Sequence, residues 1–305
     1  MAASSTLAPV EDVLDPSRFE GTLREKTALV TGAGRGIGQA IAVAFARAGC
    51  DVACVSRTGS EVEAVASLIN STYPSRARAF VSDVSDLDAI AILVGEVRLW
   101  CGGPIHILVN NAGIARIDAI EFQRDLGNWS RILATNLTGP VALTHQLLPD
   151  MLAGQCGVII SIGSRNAIYR IPYMSAYSVS KTALLRFHEN LEQEVRGKGV
   201  YNYYVSSPNV KTSILSTADS VDEESLKRSA GARRMVEMIE KVETSPPGMV
   251  ADVCVLLAAD KDAPVLSGRY IDMDGNLRAV LEDIRKRGGS ECVKRNLYRL
   301  KMDIL

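Results

Sequence analysis

The chain has 305 residues, and 47% of them are hydrophobic, which is enough for a sizeable buried core and too many for a disordered chain. Its 34 basic and 35 acidic residues give a net charge of -1, so electrostatics offers no attraction toward nucleic acid or an anionic membrane. The composition therefore favours a small molecule, or another copy of the chain, as the partner.

The first 25 residues are polar, contain Pro9 and Pro16, and lack a long apolar stretch. We expect them to form a flexible tail without a signal peptide. Six cysteines occur without any C-x-x-C pair, a pattern typical of reduced thiols in a cytoplasmic protein without a metal site. No later run in the sequence approaches the ~18 apolar residues of a membrane span.

Short apolar runs alternate with longer stretches of helical pattern from residue 26 onward. The runs that predict strands are residues 27–31, 51–56, 77–81, 107–110, 158–162, 201–206 and 269–272. The stretches that predict helices are residues 37–48, 60–69, 86–100, 139–152 and 177–195. Continuous apolar strands separated by helices indicate a parallel sheet covered on both faces. The sequence therefore predicts an α/β fold, a doubly wound, Rossmann-type sheet of seven parallel strands in a single domain, residues 26–275.

A polar, charged stretch separates the last two predicted strands. Residues 212–247 contain DEESLKR and GARRMVEMIEKVE, which predict one or two helices. An insertion after a strand end is a suitable position for a substrate lid.

Residues 276–305 form a C-terminal extension beyond the predicted domain. Its apolar residues recur at the spacing of one helix face: Leu277, Val280, Leu281 and Ile284. We expect this face to dock on the body of the protein or on a neighbouring subunit near the substrate loop.

A glycine-rich loop follows the first predicted strand and leads into a helix. Its sequence is Thr31-Gly32-Ala33-Gly34-Arg35-Gly36-Ile37-Gly38. Glycines let the backbone turn tightly and approach a pyrophosphate, whose charge meets the helix N-terminus. The spacing fits neither G-x-G-x-x-G nor a P-loop. The loop alone is therefore compatible with dinucleotide binding and also with a plain strand–helix turn.

Tyr177 and Lys181 are four residues apart at the start of a predicted helix, so their side chains share one face. A nearby cation lowers the pKa of a phenol from ~10 toward the working range of an enzyme. Such a phenol can donate a proton to a carbonyl oxygen or accept one from an alcohol. The pair alone has little specificity, because many surface helices contain it.

Five motifs in order make the sequence similar to the short-chain dehydrogenase/reductase family in its single-domain form. The T-G-x-x-x-G-x-G motif matches residues 31–38, and N-N-A-G matches residues 110–113. The family's catalytic Asn and Ser match Asn136 and Ser164, and its Y-x-x-x-K matches Tyr177 and Lys181. The resemblance covers roughly residues 26–275.

The resemblance implies an oxidoreductase in which hydride moves between a nicotinamide and a substrate carbon. In this family pattern Tyr177 is the general acid/base, and Lys181 lowers its pKa and holds the nicotinamide ribose. Ser164 orients and polarises the substrate oxygen, and Asn136 holds a water that relays protons to Lys181.

The resemblance also implies where the cofactor binds. Asp83 is expected to accept a hydrogen bond from the adenine amino group, and Asn110 to contact the adenosine side. The full set of expected cofactor-binding residues is Gly32, Arg35, Gly36, Ile37, Gly38, Ser56, Arg57, Asp83, Val84, Asn110, Ala112, Gly113, Tyr177, Lys181, Val210 and Thr212.

Three residues favour NADP(H) over NAD(H). NAD-specific proteins place an acidic residue ~20 residues past the glycine loop, where it binds the ribose 2′-hydroxyl. Here that position holds Ser56, followed by Arg57, and Arg35 lies within the loop. Guanidinium groups suit a phosphate because they donate paired hydrogen bonds.

The segment after Ser164 is expected to line the mouth of the site. Its apolar and aromatic residues suit a hydrophobic ketone or alcohol: Ile168, Tyr169, Ile171, Tyr173 and Met174. Two alternatives remain open, namely non-redox chemistry such as dehydration or epimerisation on the same scaffold, and a cofactor-binding regulator. The presence of all four catalytic residues argues against both.

The helices predicted at residues 139–152 and 177–195 correspond to those that pair subunits in this family. Both carry apolar residues beyond one face, including Leu184, Leu185 and Phe187. Apolar surface left over after packing on a sheet implies a partner, so we predict a homodimer or homotetramer.

Overall fold

One parallel sheet of seven strands runs through the computed structural model, which describes residues 15–123, 125–210, 214, 218–273 and 277–287. The strands are β1 (Thr27–Thr31), β2 (Asp51–Ser56), β3 (Ala77–Val81), β4 (Ile107–Asn110), β5 (Gly157–Gly163), β6 (Val200–Ser206) and β7 (Tyr270–Asp272). Their order across the sheet is β3-β2-β1-β4-β5-β6-β7. The predicted doubly wound, seven-stranded Rossmann-type fold is confirmed.

Helices cover both faces of the sheet. They are α1 (Gly36–Arg47), α2 (Gly59–Thr72), α3 (Leu87–Cys101), α4 (Gly127–Leu133), α5 (Gly139–Ala153), α6 (Ser175–Val195), α7 (Glu223–Arg228), α8 (Ala230–Glu240), α9 (Pro247–Ala259) and α10 (Leu277–Arg287). One core layer contains buried residues of α1, α2, α9 and α10, and the opposite layer contains those of α3, α5 and α6.

The strand order changes direction between β1 and β4. The chain first proceeds outward from β1 to β2 and β3, and then returns to the other side of β1 with β4. In such sheets the loops at the carboxyl ends of the two central strands separate, and ligands bind in the crevice between them. This crevice lies between the glycine-rich loop after β1 and the residues that follow β4.

The expectation of a flexible tail through residue 25 is wrong for residues 15–25. Phe19 and Leu23 are buried in the core layer that contains α1 and α9. The backbone N–H of Leu23 donates to the carbonyl of Ala48 at 2.9 Å. These contacts fasten the segment to the end of α1. Residues 1–14 lie outside the described part of the chain.

The predicted apolar face of the C-terminal extension docks on the body of the protein. Leu277, Leu281 and Ile284 of α10 are buried, and Val280 packs partly against the same core layer. The guanidinium of Arg285 pairs with Asp260, at the end of α9. The docking position is therefore beside α9. The Gly288-Gly289 break and the remaining tail lie outside the described residues.

Two of the residues that suggested self-association are buried inside the chain. Leu184 and Leu185 pack with Tyr204 and Tyr270 in a buried cluster, so their side chains are not available to contact another subunit. On the outer face of α6 the exposed apolar residue is Val179, and Phe187 is only partly buried.

Within the described residues, we find no helix that is both long and apolar enough to cross a membrane. The same residues contain no cluster of three or more His, Cys, Asp or Glu side chains placed to hold a metal ion.

Candidate active site

The four predicted catalytic residues come from three places in the chain at the carboxyl end of the sheet. Asn136 is in a π-helical turn, Ala134–Thr138, between α4 and α5. Ser164 directly follows β5, and Tyr177 and Lys181 lie in the first two turns of α6. The Nζ of Lys181 is 5.7 Å from the centre of the Tyr177 ring, and Ser164 lies near enough to the Tyr177 hydroxyl to lower its pKa. The structure thus brings Ser164, Tyr177 and Lys181 together.

Lys181 is almost fully buried, which removes its ammonium group from water. Its Nζ donates a hydrogen bond to the carbonyl of Ile162, on β5, at 2.8 Å. Burial lowers the pKa of Lys181 to about 8, because a desolvated ammonium group is less stable than a neutral amine. Lys181 should therefore begin to lose its positive charge in mildly alkaline solution, near pH 8.

Burial also governs the Tyr177 phenol. It raises the pKa of Tyr177 above the ordinary value, and the hydrogen bond with Ser164 opposes that change. This direction is opposite to the one expected from the Tyr–Lys pair. The reason is that loss of hydration destabilises the phenolate of Tyr177. The neighbour that opposes this increase in pKa is Ser164.

Ser164 has a second hydrogen-bond partner that the sequence analysis missed. Its Oγ accepts from the backbone N–H of Asn166 at 3.2 Å and donates to the Asn166 Oδ1 at 3.2 Å. The Ser164 proton can therefore be held by Asn166 before a substrate oxygen replaces that acceptor. The signal in the sequence is an Asn two residues after the Ser, a spacing typical of short turns.

Asn136 is completely buried, and its amide is used locally. The Nδ2 donates to the carbonyl of Ile114 at 2.9 Å and to Ser180 Oγ at 3.1 Å, while the Oδ1 accepts from the N–H of Ile114 at 2.9 Å. A Cβ at Gly113 would lie 3.4 Å from the Asn136 Oδ1 and 3.8 Å from the Lys181 Nζ. Gly113 therefore lies between Asn136 and Lys181.

The glycine-rich loop fits the pyrophosphate of a dinucleotide. Gly32 has a φ of 64°, and a Cβ at Gly38 would lie 2.0 Å from the carbonyl oxygen of Gly32. The N-terminus of α1 at Gly36 has no side-chain cap, so its N–H groups remain free to bind an anion. The loop thus combines a close backbone approach with a positively polarised helix end. Ile37, within the loop motif, is partly buried and packs against the hydrophobic core.

Asn111, which the prediction omitted, ties the glycine-rich loop to β4. Its Nδ2 donates to the carbonyls of Thr31 at 2.8 Å and of Gly32 at 3.2 Å. The N–H groups of Asn111 and Ala112 both donate to Thr31 Oγ1 at 3.0 Å. The Asn110 side chain instead turns into the molecule, where its Nδ2 donates to Ser161 Oγ at 3.3 Å.

Charged residues surround the outer end of the crevice, beyond β2 and β3. Arg57 pairs with Asp83 at 3.6 Å, and Arg35 pairs with Glu61 at 3.6 Å. Burial acts to raise the pKa of Asp83, but hydrogen bonds from Ser85 and the charge of Arg57 outweigh it and hold the pKa below its ordinary value. A cleft of about 480 Å³, lined in part by Arg57 and Asp83, adjoins the cluster. Arg35 and Arg57 are thus each paired with a carboxylate of the protein.

Glu61 is the unexpected member of this cluster. A Cβ at Gly34 would lie 2.9 Å from the Glu61 Oε2 and 3.3 Å from the Ser56 Oγ. A carboxylate from α2 thus reaches the space between the glycine-rich loop and the end of β2. Glu61 lies five residues beyond Ser56, on the next helix, so the residues at the end of β2 and in the glycine-rich loop do not reveal it.

Helix α8 belongs to the predicted lid between β6 and β7 and packs beside Tyr177. Met235 of α8 packs with Ile117, Met174 and Tyr177 in one apolar cluster. Ile171 and Tyr173 join this cluster, whereas Ile168 and Tyr169 are exposed. The predicted mouth of the site is thus divided between apolar residues that contact the lid and residues that face solvent.

An ion pair and a short β-bridge hold this lid to the loop after β4. Arg116 pairs with Asp222 at 2.8 Å, immediately before α7, and Ile117 forms a parallel bridge with Val221. The described part of the predicted lid is therefore fastened to the loop after β4 and packs beside Tyr177.

The remaining predicted cofactor residues fall around the same crevice. Val84 is buried, and its carbonyl lies so close to Gly139 that a Cβ there would be 2.2 Å away. Val210 follows β6 and forms a bridge with Ser245. Thr212 lies outside the described residues.

Comparison with known proteins gives consistent matches across most of the chain. A family model described as short chain dehydrogenase matches residues 26–223. A short chain dehydrogenase of Pseudocercospora fijiensis is 35% identical over 296 residues, covering 95% of this chain and 93% of the relative. The D-threitol dehydrogenase of Mycolicibacterium smegmatis is 31% identical over 258 residues, covering 84% of this chain and 94% of the relative. The crystal structure of a metagenomic short-chain oxidoreductase in complex with NADP is similar at a TM-score of 0.64 and 27% identity, covering 78% of this chain and 93% of that one.

Proposed function

The chain belongs to the short-chain dehydrogenase family, and on this basis we propose that it is an NADP(H)-dependent oxidoreductase that reduces a ketone or oxidises a secondary alcohol. The observation that carries the proposal is the contact of Tyr177 with both Ser164 and Lys181, beside a glycine-rich loop shaped for a pyrophosphate. A Tyr–Lys pair on a surface helix would have neither a neighbouring Ser164 nor the glycine-rich loop beside it.

Each residue then has a defined task. The Tyr177 hydroxyl gives its proton to the substrate oxygen in reduction and takes it back in oxidation. The Ser164 hydroxyl donates to the same oxygen once it leaves Asn166, which polarises the carbonyl. Lys181 stabilises the phenolate of Tyr177 and binds the nicotinamide ribose, and Asn136 holds a water that relays protons to Lys181. The bound nicotinamide supplies or accepts the hydride.

Arg35 and Arg57, with the Ser56 hydroxyl, support a preference for NADP(H). All three line the outer end of the crevice, and the last residue of β2 is Ser56 instead of an acidic residue, while the nearby carboxylate of Glu61 comes from α2. The similar metagenomic oxidoreductase is in complex with NADP. Comparable kcat/KM values for NADH and NADPH would contradict this preference. Ser56→Asp combined with Arg57→Ala should shift it toward NADH.

An apolar substrate fits the described walls of the site. Tyr177 packs in an apolar cluster, in which Met174 and Met235 contribute flexible thioethers that adapt to different shapes. We therefore propose a hydrophobic ketone or secondary alcohol. Screening the purified protein against a panel of such ketones, while following the absorbance of NADPH, would identify the class.

Replacement of Tyr177 by Phe tests the proposed chemistry. The variant keeps the ring but has no proton to transfer, so kcat should fall by about 10²–10⁴-fold while the Kd for NADPH changes little. Lys181→Ala should impair both quantities, because Lys181 also holds the ribose. Tyr169→Phe is a matched control, since that hydroxyl belongs to an exposed side chain at the mouth.

The two alternatives predict other results. A non-redox enzyme would bind NADPH and convert an alcohol or sugar substrate without net change in NADPH absorbance. A regulator would bind NADPH with no turnover of any substrate, and Tyr177→Phe would then change nothing. A Tyr177→Phe enzyme that keeps more than about half of its activity would disprove the role of Tyr177.

A further inference from the structure

Tyr204 contacts the residue that follows β5 from the neighbouring strand. β5 and β6 are paired up to Gly163 and Ser206, so Ser164 is the first residue beyond the ladder. The Tyr204 hydroxyl accepts a hydrogen bond from the N–H of Ser164 at 3.0 Å and donates to its carbonyl at 3.3 Å. The Tyr204 hydroxyl thus satisfies both main-chain polar groups of Ser164, which a neighbouring strand would otherwise do.

The Tyr204 ring fits this place only because residue 163 is glycine. A Cβ at Gly163 would lie 2.1 Å from two ring carbons and 2.6 Å from the hydroxyl oxygen of Tyr204. On the other side, the ring stacks on Tyr270 with 5.6 Å between the ring centres. The Tyr270 hydroxyl is fixed in turn by a 2.8 Å hydrogen bond to Ser206 Oγ. The ring is therefore held between the strand and its aromatic neighbour.

We infer that Tyr204 is a positioning residue, whose hydroxyl fixes the main chain from which Ser164 reaches Tyr177 and the substrate oxygen. The inference rests on the proposed function, in which Ser164 contacts that oxygen. Misplacement of a reacting group by about 1 Å can cost on the order of 10²-fold in rate, so a fixed main chain at Ser164 has a direct catalytic value.

The protonation state of Tyr204 supports this task. Burial raises the pKa of Tyr204 well above its usual value, so the phenol is neutral at physiological pH. A neutral phenol has one proton to donate and lone pairs to accept with. It can therefore serve both main-chain groups of Ser164 at physiological pH.

The chain provides a matched control on the next residue. Tyr203 is as completely buried as Tyr204 but points to the opposite face of the sheet. Among the described residues, the Tyr203 hydroxyl has no hydrogen-bond partner. Tyr203→Phe and Tyr204→Phe therefore remove equivalent buried hydroxyls, of which only one contacts Ser164.

The experiment compares these two variants in three measurements. In Tyr204→Phe, we expect kcat to fall about tenfold while the Kd for NADPH stays within twofold. The Ser164 hydrogen bond lowers the pKa of Tyr177, so its loss should move the pH profile of alcohol oxidation to higher pH. Exchange of the Ser164 amide hydrogen should accelerate at least tenfold. Tyr203→Phe should leave all three values at those of the wild type.

A second variant pair separates positioning from simple packing. Gly163→Ala should lower both Tm and kcat, because the added methyl group meets the Tyr204 ring. Addition of Tyr204→Leu should restore Tm by relieving the contact, but kcat should remain low because the hydroxyl is still missing. Recovery of kcat together with Tm would overturn the inference, and so would a Tyr204→Phe variant with wild-type kcat, pH profile and amide exchange.

The measurements also distinguish this inference from the proposed function. If the wild-type protein turns over no carbonyl or alcohol with either cofactor, the proposed function fails. The exchange rate of the Ser164 amide still decides whether Tyr204 holds the main chain, because it requires no turnover.

Discussion

Glu61 opposes the phosphate that Ser56, Arg57 and Arg35 are predicted to bind. Its carboxylate pairs with Arg35 and lies beside Gly34, so a 2′-phosphate must displace it from the arginine. Two like charges ~4–5 Å apart at a protein surface repel by about 1 kcal/mol in water and by more in a partly desolvated cleft. The charge of Glu61 should therefore weaken NADPH binding without affecting NADH.

Glu61→Gln tests this effect, because it removes the charge and keeps the size of the side chain. We expect the Kd for NADPH, measured by fluorescence titration, to decrease about three- to tenfold, and the Kd for NADH to stay within twofold. Glu63→Gln is the control, since Glu63 is an exposed residue of the same helix. Equal changes for both cofactors would show that Glu61 does not act on the 2′ position.

Lys181 should reduce the stability of the fold that positions it. Its pKa in the folded chain is about 8, below the ordinary value of 10.5. Between these two values the unfolded chain binds a proton that the folded chain has lost, so the free energy of unfolding rises with pH in this range. At pH 7 both states are protonated, and the folded state carries the full cost of the buried charge.

Lys181→Met should therefore stabilise the protein while removing its activity. After subtraction of the hydrogen bond lost at Ile162, the gain in the free energy of unfolding at pH 7 should be about 1–2 kcal/mol. The gain over wild type should shrink as the pH rises from 8 to above 10. Urea denaturation at pH 7 and pH 9.5 measures this difference in the free energy of unfolding. Lys198→Met is the control, because Lys198 is exposed. A Lys181→Met protein less stable than wild type at pH 7 would contradict the burial cost.

Single residues were predictable from the sequence where a motif names them directly. Ser164, Tyr177 and Lys181 are brought into contact as their spacing and order indicate. Asn166 was missed although its position two residues after Ser164 is a local signal. Glu61 and Tyr204 were missed because each depends on how a strand or helix from elsewhere in the chain meets the motif. Such contacts are set by the packing of the whole sheet, and no local pattern in the sequence encodes them.

At the scale of elements, the strands were predicted more accurately than the helices. β1 to β4 match the prediction residue by residue, because each is a short apolar run bounded by polar residues or glycine. α9 was missed since Val250–Leu257 is apolar on nearly every side and has no helical period. Helix α9 packs on α1, so its burial on all sides follows from its place in the core rather than from its pattern.

The docked C-terminal helix α10 should contribute measurably to stability. Leu281 is completely buried, and replacing a buried Leu by Ala typically costs about 2–5 kcal/mol. Leu281→Ala should therefore lower Tm by several degrees, as should truncation after Asn276, while kcat/KM changes little because α10 docks beside α9. Lys286→Ala, an exposed position on the same helix, is the control. Equal Tm values for Leu281→Ala and Lys286→Ala would show that the helix is not docked in solution.

At the scale of the whole molecule, the sheet order explains why the motifs of the predicted site come together. The carboxyl ends of β1, β4 and β5 lie side by side, so the glycine-rich loop, the N-N-A-G segment and Ser164 must converge. The lid was predictable only as a polar insertion. Its packing beside Tyr177 depends on side chains of α8 and on the Arg116–Asp222 pair, which lie 106 residues apart in the sequence.

Self-association is the prediction that concerns the molecule as a whole. Leu184 and Leu185 are buried within the chain, so the argument now depends on the outer face of α6, where Val179 is 46% exposed and Phe187 is partly exposed. We still expect a homodimer or homotetramer at micromolar concentration. In a two-fold interface each substitution is present on both subunits. Because a buried charge without a partner is costly, Val179→Arg should dissociate the assembly.

Light scattering of wild type, Val179→Arg and Leu99→Arg decides the question. Leu99 is a matched control, because it is an apolar residue that is 85% exposed and belongs to a different helix, α3. We expect Leu99→Arg to keep the wild-type mass and Val179→Arg to give a smaller one. Since Val179 is two residues from Tyr177 on the same helix, dissociation should also lower kcat at nanomolar concentrations. A wild-type mass equal to that of the monomer would refute self-association through this face, and an unchanged mass in Val179→Arg would move the interface to another surface.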